Sequence, residues 1–323
     1  MALRAGVVGL GHNGLAWCRA YRDSPSTELA AIWDLDADRL SKALEELGPG
    51  VEATEDIYTL PDLDIISIHT PDHVHAEPFV QALEGGKHVM VEKPMANCVA
   101  DLERMVAAAR ASDRKTMVGQ VLRFNPLFAQ VRKLIEDGVL GEVYYLEGDY
   151  VHDLRYQQFM EPWKLDEEIP IVGGGVHPLD LLRWFAGDVV EAHGYANHVA
   201  YPEMQTPTTQ AALFRFASGA IGKVAALYGP IGPMGSNYNL VVHGTKGTVR
   251  GNQLCLDGLH EFMEIPITYA GHPYDPQVEH FAKCIADDTE PLVPAIEGAK
   301  SAQACLLAHK SAIEGRPIPI PTL

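Results

Sequence analysis

Cysteine is scarce in this sequence, and long hydrophobic runs are missing. The 323 residues include 5 cysteines, which form no C-x-x-C pair. This spacing argues against a zinc ribbon and a disulfide framework, so we expect a reducing, cytoplasmic environment. No run approaches the roughly 18 to 20 apolar residues of a membrane span, and the N-terminal residues do not resemble an export signal. We therefore expect a soluble protein.

Positive charge is also in short supply. The chain has 43 acidic and 25 basic side chains, a formal net charge of −18. Such a surface repels phosphate backbones and anionic lipid head groups, so neither nucleic acid nor a membrane is expected as a partner. The hydrophobic share of 47% is that of an ordinary globular protein. The length favours two domains.

The chain changes its pattern near Arg123. Before it, short apolar runs alternate with helical patterns, which is typical of a parallel sheet. Those runs are Arg4–Leu10, Glu28–Asp34, Asp64–Thr70, His88–Glu92 and Thr116–Val121. After it, alternating segments predict an antiparallel sheet, with strands at Glu142–Val151, Glu191–Val199, Thr209–Phe216, Ala220–Tyr228 and Asn239–Val249. Two helices, broken near Asp287–Pro294, are predicted to end the chain.

A glycine-rich turn follows the first predicted strand. Gly9-Leu-Gly11-His-Asn-Gly14 opens a helix, where glycines permit a tight turn, close approach of a pyrophosphate and close helix packing. Asp34 ends the next predicted strand, where a carboxylate can bind ribose hydroxyls and would repel a 2′-phosphate. The first cation after it is Arg39. The pattern favours NAD over NADP; the alternative is that Asp34 merely starts a turn.

Two further motifs complete a recognisable series. They are His69-Thr-Pro-Asp-His-Val-His75 and Glu92-Lys-Pro94. With the glycine turn they resemble, in order and spacing, the Gfo/Idh/MocA family of sugar and inositol dehydrogenases. The resemblance covers nearly the whole chain and implies an α/β fold. Residues 1–122 would form a Rossmann domain with a doubly wound parallel sheet, and residues 123–323 an α+β domain with a large open, mainly antiparallel sheet. A homodimer or homotetramer is also implied.

The resemblance implies a cofactor site in the Rossmann domain. It comprises Gly9, Gly11, His12, Asn13, Gly14, Asp34, Thr70, Pro71, His75, Glu92, Lys93 and Gln120. Thr70 and Pro71 would contact the nicotinamide side through their backbone, and His75 would be structural. His-x-His spacing can bind zinc, but we expect no metal here. A plain linker is the alternative for the segment that begins at Gln120.

Lys93 carries the predicted chemistry. Oxidising a secondary alcohol requires a group that takes the hydroxyl proton and a cation that stabilises the alkoxide, and a lysine can do both. Pro94 excludes the helical region for Lys93 and so presents it from an extended strand end. Partial burial there would lower its pKa toward neutrality. The alternative is an ordinary surface lysine.

A second catalytic group is predicted near Gly173-Gly-Gly-Val-His177-Pro-Leu-Asp180. The pattern predicts a helix that begins at His177 and ends before Gly187. Asp180 would share a face with His177 and orient its imidazole for proton transfer. The alternative is a capping histidine with a salt-bridging aspartate. Family members commonly carry an Asp at the position of Gly173, so another acid or a substrate carboxylate would have to replace it.

The predicted function follows from these residues. The resemblance implies hydride transfer between NAD and a secondary hydroxyl of a sugar, polyol or inositol. Lys93, His177 and Asp180 would be catalytic. Substrate contacts would come from Lys93, Arg123, Tyr156, Trp163, Lys164 and His177. The alternatives are a glycoside hydrolase or epimerase that oxidises a sugar only transiently, and a catalytically silent NAD-binding protein.

Overall fold

The computed structural model describes residues 2–153, 162–232, 238–267 and 272–323. Contacts divide the chain into two compact units, one of residues 1–121 and 272–299, the other of residues 122–271 and 300–323. The segment 272–299, which we had expected in the second domain, therefore lies in the first unit. Its contacts explain this, since the amide of Val118 donates to the carbonyl oxygen of Val293 at 2.9 Å.

The first unit contains a six-stranded parallel sheet in the order β3-β2-β1-β4-β5-β6. Its strands are β1 Leu3–Val8, β2 Thr27–Trp33, β3 Glu52–Ala53, β4 Ile65–Ile68, β5 His88–Val91 and β6 Thr116–Val118. Helices α1 His12–Asp23, α2 Ala37–Leu47, α3 Ala76–Glu84 and α4 Val99–Ala111 alternate with them. All four residues of β4 are buried, as expected where helices cover both sheet faces. The predicted doubly wound fold is confirmed.

Further helices follow α4 along the chain. They are α5 Pro126–Glu136, α6 Pro162–Glu167, α7 Pro170–Gly173, α8 Val176–Ala186, α9 Tyr274–Ala286 and α10 Ala295–Glu314. Of these, α9 and the first five residues of α10 belong to the first unit. The break that separates α9 from α10 lies where the sequence predicted it.

The second unit contains a nine-stranded sheet in the order β14-β13-β12-β11-β7-β10-β9-β8-β15. Its strands are β7 Val143–Val151, β8 Val189–Asn197, β9 Thr209–Phe216, β10 Ile221–Leu227, β11 Val241–Gly244, β12 Gly247–Arg250, β13 Gln253–Leu256, β14 Met263–Glu264 and β15 Ile318–Pro319. Only the pair β7 and β10 is parallel among those described, so the sheet is mainly antiparallel, as predicted. The single strand predicted over Asn239–Val249 is wrong, because Thr245 and Lys246 turn the chain between β11 and β12.

One face of this sheet is packed against helices. A Cβ atom on Gly148 of β7 would lie 2.8 Å from the Cβ of Pro178 in α8, and the amide of Gly194 in β8 donates to Ser311 of α10 at 3.0 Å. Alternate residues of β9 lie on the opposite face, away from these helices, and Leu213 among them is 52% exposed. In the described ranges, no helix has both the length and the apolar composition needed to cross a membrane.

Candidate active site

The strand ends of the first unit bring the predicted cofactor residues to one edge of its sheet. Asp34 follows β2, the glycine turn follows β1, Thr70 follows β4, Lys93 follows β5 and Gln120 follows β6. Since these strands are neighbours in that order, the groups succeed one another along roughly 20 Å of sheet edge. Doubly wound sheets bind ligands at this edge, beside the point where the strand order reverses.

The glycine turn is shaped for close backbone approach. Gly9 has a φ of +88°, and a Cβ there would lie 2.6 Å from the carbonyl oxygen of His69. A Cβ on Gly14 would lie 1.8 Å from the carbonyl oxygen of Gly9. Beside Gly11, in contrast, only Arg39 would be within 4 Å, at 3.6 Å. Gly11 caps α1 without a side chain, so the first-turn amides are available to a pyrophosphate.

Asp34 is fixed beside this turn. Its Oδ2 accepts a hydrogen bond from the amide of Leu10 at 2.6 Å, and its Oδ1 accepts one from the amide of Asp36 at 2.8 Å. An ionised carboxylate has about four lone-pair sites, so both oxygens can still accept bonds from ribose hydroxyls. The two interpretations of Asp34, a turn residue and a ribose ligand, are therefore compatible.

Buried polar atoms without partners mark the other end of the sheet edge. Among the described residues, the hydroxyl of Thr70 and both amide atoms of Gln120 are buried without a hydrogen-bond partner. Gln120 is only 1% exposed. Folded proteins rarely leave such groups unpaired, and a bound dinucleotide can satisfy them. The residues present therefore fit NAD.

Glu92 and His75, two residues of the predicted cofactor site, have hydrogen-bond partners within the protein. The carboxylate of Glu92 accepts from the indole nitrogen of Trp17 at 2.9 Å and from the amide of Lys93 at 3.1 Å. The two ring nitrogens of His75 lie 3.0 Å from the carbonyl oxygen of Pro94 and 2.9 Å from that of Thr70. Glu92 thus holds the backbone of Lys93, and His75 joins two loops, in keeping with the structural role predicted for it. Contact of either residue with a cofactor stays a prediction.

Lys93 itself lies half-buried at the end of β5 and forms a cis peptide bond with Pro94. His12 and Asn13 open α1, and Pro71 precedes a short 3-10 turn. These positions agree with the predicted arrangement. Their contact with a cofactor remains a prediction.

The sequence analysis missed an aromatic group beside the glycine turn. Tyr274 donates its hydroxyl hydrogen bond to Oδ1 of Asn13 at 2.8 Å, and its ring packs edge-on against Trp17 at 5.5 Å. The ring of His272 stacks on Tyr274 at 4.0 Å. Burial, followed by the charge of Glu92, raises the pKa of Tyr274, so the phenol remains a donor. No motif connects residues so distant in sequence.

His177 lies in the first turn of α8, in the second unit. The helix begins at Val176, one residue before the predicted start, and ends before Gly187 as predicted. The ring of His177 is 5.9 Å from those of Tyr150 and Tyr238, and Tyr150 is also 5.9 Å from Tyr228. We call Tyr150, His177, Tyr228 and Tyr238 the aromatic cluster. His177 is 6% exposed.

The predicted pairing of Asp180 with His177 is wrong. Asp180 instead accepts two hydrogen bonds from the guanidinium of Arg123, at 2.7 and 2.8 Å, and one from the hydroxyl of Ser301 at 2.7 Å. Arg123 also lies over the ring of Trp184. Asp180 is 1% and Arg123 6% exposed, so this ion pair lies in the interior of the second unit. The catalytic role of Asp180 and the substrate contact of Arg123 stay predictions.

The remaining predicted substrate residues lie on or before α6. Trp163 and Lys164 are half-buried on this helix, with Nζ of Lys164 5.6 Å from the indole centroid. Tyr156 lies outside the described residues. The sequence analysis missed Glu168, a buried carboxylate beside Gly173. Across the described ranges, no three His, Cys, Asp or Glu side chains group as a metal site.

Both parts of the chain match models of one protein family. Residues 3–120 match the oxidoreductase family with an NAD-binding Rossmann fold, and residues 128–250 match the C-terminal domain of the same family.

The chain is also similar to individual known proteins. The chain is 31% identical over 233 residues to 1-carboxy-3-chloro-3,4-dihydroxycyclohexa-1,5-diene dehydrogenase of Comamonas testosteroni, covering 69% of this chain but only 57% of that protein. It is 26% identical to scyllo-inositol 2-dehydrogenase (NAD(+)) of Bacillus subtilis, covering 98% and 96% of the two chains. Levoglucosan dehydrogenase in complex with NADH has the same fold, with a TM-score of 0.89, 22% identity and full coverage of both chains. The chain therefore belongs to the Gfo/Idh/MocA family of NAD-binding oxidoreductases.

Proposed function

We propose that this protein is an NAD-dependent dehydrogenase that transfers a hydride between the nicotinamide and a secondary hydroxyl of a sugar, polyol or inositol. The observation that carries the proposal is the position of Lys93 at the end of β5, on the strand between those that lead to Thr70 and Gln120. Lys93 is thus next to buried polar atoms that a dinucleotide can satisfy. The substrate class is supported by relatives that are named for inositol and levoglucosan.

The protein residues divide the acid–base work. NAD, when bound, accepts the hydride and supplies the redox chemistry. Lys93 takes the proton of the reacting hydroxyl at Nζ, and its charged form stabilises an alkoxide. Glu92 keeps the Lys93 backbone in place through the amide hydrogen bond. His177 is the proposed second acid or base, because an imidazole can both donate and accept a proton. Trp163 and Lys164 are the proposed substrate contacts.

Absorbance of reduced nicotinamide tests this function. Purified protein and NAD would be mixed with a panel of inositols, sugars, polyols, aldonates and glycosides. We expect absorbance to rise with at least one member, and Lys93→Ala to lower kcat by about 100-fold or more, since a general base contributes on that order. Lys42→Ala removes the same charge from an exposed position of α2 and should leave kcat unchanged.

If the protein binds NAD but no member of the panel raises the absorbance, the result would contradict the proposal of a net dehydrogenase. Analysis of glycoside products would then distinguish transient sugar oxidation from a silent binding protein. An active Lys93→Ala variant would leave the family assignment intact but would remove Lys93 from the proposed mechanism.

We propose further that the protein is a cytoplasmic homo-oligomer. All five cysteines are free thiols, which suits a reducing compartment. The sheet face opposite α8 and α10 carries Tyr195, Leu213 and Ile221, which are 72%, 52% and 49% exposed. Large apolar side chains on an open sheet face are typical of a subunit interface. Light scattering of the purified protein would give the subunit number.

A further inference from the structure

Glu168 is a buried carboxylate that the proposed mechanism does not use. It is 8% exposed, and its Oε1 accepts a hydrogen bond from the hydroxyl of Tyr228 at 2.5 Å. Its backbone carbonyl accepts from Thr206 at 2.5 Å, which fixes the residue in place. Its second oxygen, Oε2, is buried and has no hydrogen-bond partner among the residues that the structure describes. Nζ of Lys164 lies 4.0 Å from that oxygen.

Gly173 provides the space for this carboxylate. A Cβ atom on Gly173 would lie 2.5 Å from Oε1 of Glu168 and 3.0 Å from its Cδ, so a side chain at position 173 would require the Glu168 side chain to move. The backbone of Gly173 does not itself require glycine, because this residue lies in α7 and lacks a positive φ. The Glu168 carboxylate thus occupies the volume that a side chain at position 173 would take.

The same carboxylate is connected to the surroundings of His177. Its partner Tyr228 belongs to the aromatic cluster, and a Cβ atom on Gly174 would lie 2.9 Å from the Tyr228 hydroxyl and 2.4 Å from a ring carbon of Tyr150. Tyr150 in turn stacks on His177. Glu168 and His177 thus contact one group of rings within the second unit.

A structural role accounts for only half of this carboxylate. Tyr228 satisfies Oε1, but Oε2 is withheld from water with no described hydrogen bond, because Nζ of Lys164 at 4.0 Å is too distant to donate one. Buried acceptors of this kind are retained where a ligand completes them. Hydroxyl groups of a polyol are suitable donors.

We propose that Glu168 is a substrate-binding residue whose Oε2 accepts a hydrogen bond from a substrate hydroxyl, with Tyr228 holding Oε1. This inference rests on the proposed dehydrogenase function. It gives the buried Oε2 a hydrogen-bond donor. It also specifies a substrate that presents an uncharged, hydroxyl-bearing part to this end of the second unit.

The first test is Glu168→Gln, which removes the charge at nearly constant shape. We expect kcat/KM for the active polyol to fall about 10- to 100-fold, mainly through KM, as for a lost charge-assisted hydrogen bond. The affinity for NAD, measured by fluorescence titration, should not change. Glu167→Gln, a change at the exposed neighbouring residue, is the matched control. It should leave kcat/KM, KM and the affinity for NAD unaltered.

A second test moves the carboxylate from position 168 to position 173, so that a loss of substrate binding can be distinguished from a loss of folding. Glu168→Ala opens the volume beside Gly173, so the double variant Glu168→Ala/Gly173→Asp can present a carboxylate from the other position. We expect it to recover a large part of the kcat/KM lost in Glu168→Ala. Glu168→Ala/Gly173→Asn has nearly the same shape without charge and should not recover it.

The outcomes distinguish the two proposals. If the unmodified protein turns over a polyol and Glu168→Gln keeps its kcat/KM, the inference about Glu168 is overturned and the dehydrogenase function stands. Equal activity of the Asp and Asn double variants would overturn it as well. If the unmodified protein reduces no NAD with any polyol, the proposed function fails and the role of Glu168 fails with it.

Discussion

At the scale of single residues, Asp34 is the residue predicted to recognise the adenosine end of the cofactor. The amides of Leu10 and Asp36 hold its carboxylate next to the glycine turn. The charge is thus fixed where ribose hydroxyls can donate to it and a 2′-phosphate would be repelled. Arg39 lies near Gly11 and pairs with Asp36 at 3.5 Å, so a cation is within the same region.

Asp34→Ser should therefore weaken NAD binding and relax discrimination against NADP. Loss of hydrogen bonds to a charged acceptor predicts an increase of about tenfold in KM for NAD. The kcat/KM for NADP should rise because the repulsion is removed. Initial rates with both cofactors would measure this. Asp38→Ser, an exposed change on α2, should leave the ratio of the two cofactors as it is; an unchanged ratio in Asp34→Ser would contradict the ribose role.

At the scale of elements, a buried ion pair joins α8 to α10. Asp180 of α8 binds Arg123 and the hydroxyl of Ser301 in α10, and that hydroxyl also accepts from Arg183 at 2.8 Å. Arg183 continues to Asp188 at 2.6 Å. The helix that carries His177 is thereby anchored to the interior of the second unit.

Asp180→Ala should lower the free energy of unfolding by about 3–5 kcal/mol, because it leaves the buried charge of Arg123 without its carboxylate. Urea denaturation would measure it. Glu136→Ala removes an exposed carboxylate from Arg132 and should cost no more than about 1 kcal/mol. Replacing Arg123 and Asp180 together by leucine should recover part of the loss; a loss as small as that of the control would refute the anchoring role.

At the scale of the whole molecule, buried histidines make stability depend on pH. Burial, with His75 as the second cause, lowers the pKa of His69 well below its usual 6.5. Burial also lowers the pKa of His75. Both rings are neutral in the folded protein at pH values where the unfolded chain binds protons. Stability is therefore fully present above the unfolded pKa and is lost as the pH falls through 6.5 toward the lower folded pKa values.

Acidification from about pH 6.5 to 5.5 should thus destabilise the protein by at most about 1 kcal/mol for each such histidine. His69→Gln removes one titrating group, so the slope of unfolding free energy against pH should become shallower, whatever the variant's absolute stability. His260→Gln, an exposed change, should keep the original slope. Identical slopes in all three proteins would show that His69 does not contribute.

The order of elements was largely predictable, because hydrophobic period and glycine placement are local properties. Gly9, Gly11 and Gly14 predicted the turn before α1, and the buried run of β4 predicted a covered parallel sheet. The hairpin between β11 and β12 was missed because its two loop residues, Thr245 and Lys246, are not of the types that usually form tight hairpin turns.

The sequence by itself determined the Rossmann fold, the NAD motif and the place of Lys93 at a strand end, because each depends on residues close together in the chain. Only the tertiary structure decided which partners the other polar groups take. Asp180 bonds to Arg123 rather than His177, and Glu168 fills the space beside Gly173. A buried carboxylate is satisfied by whatever donor the packing brings within about 3 Å, and sequence spacing does not record that distance.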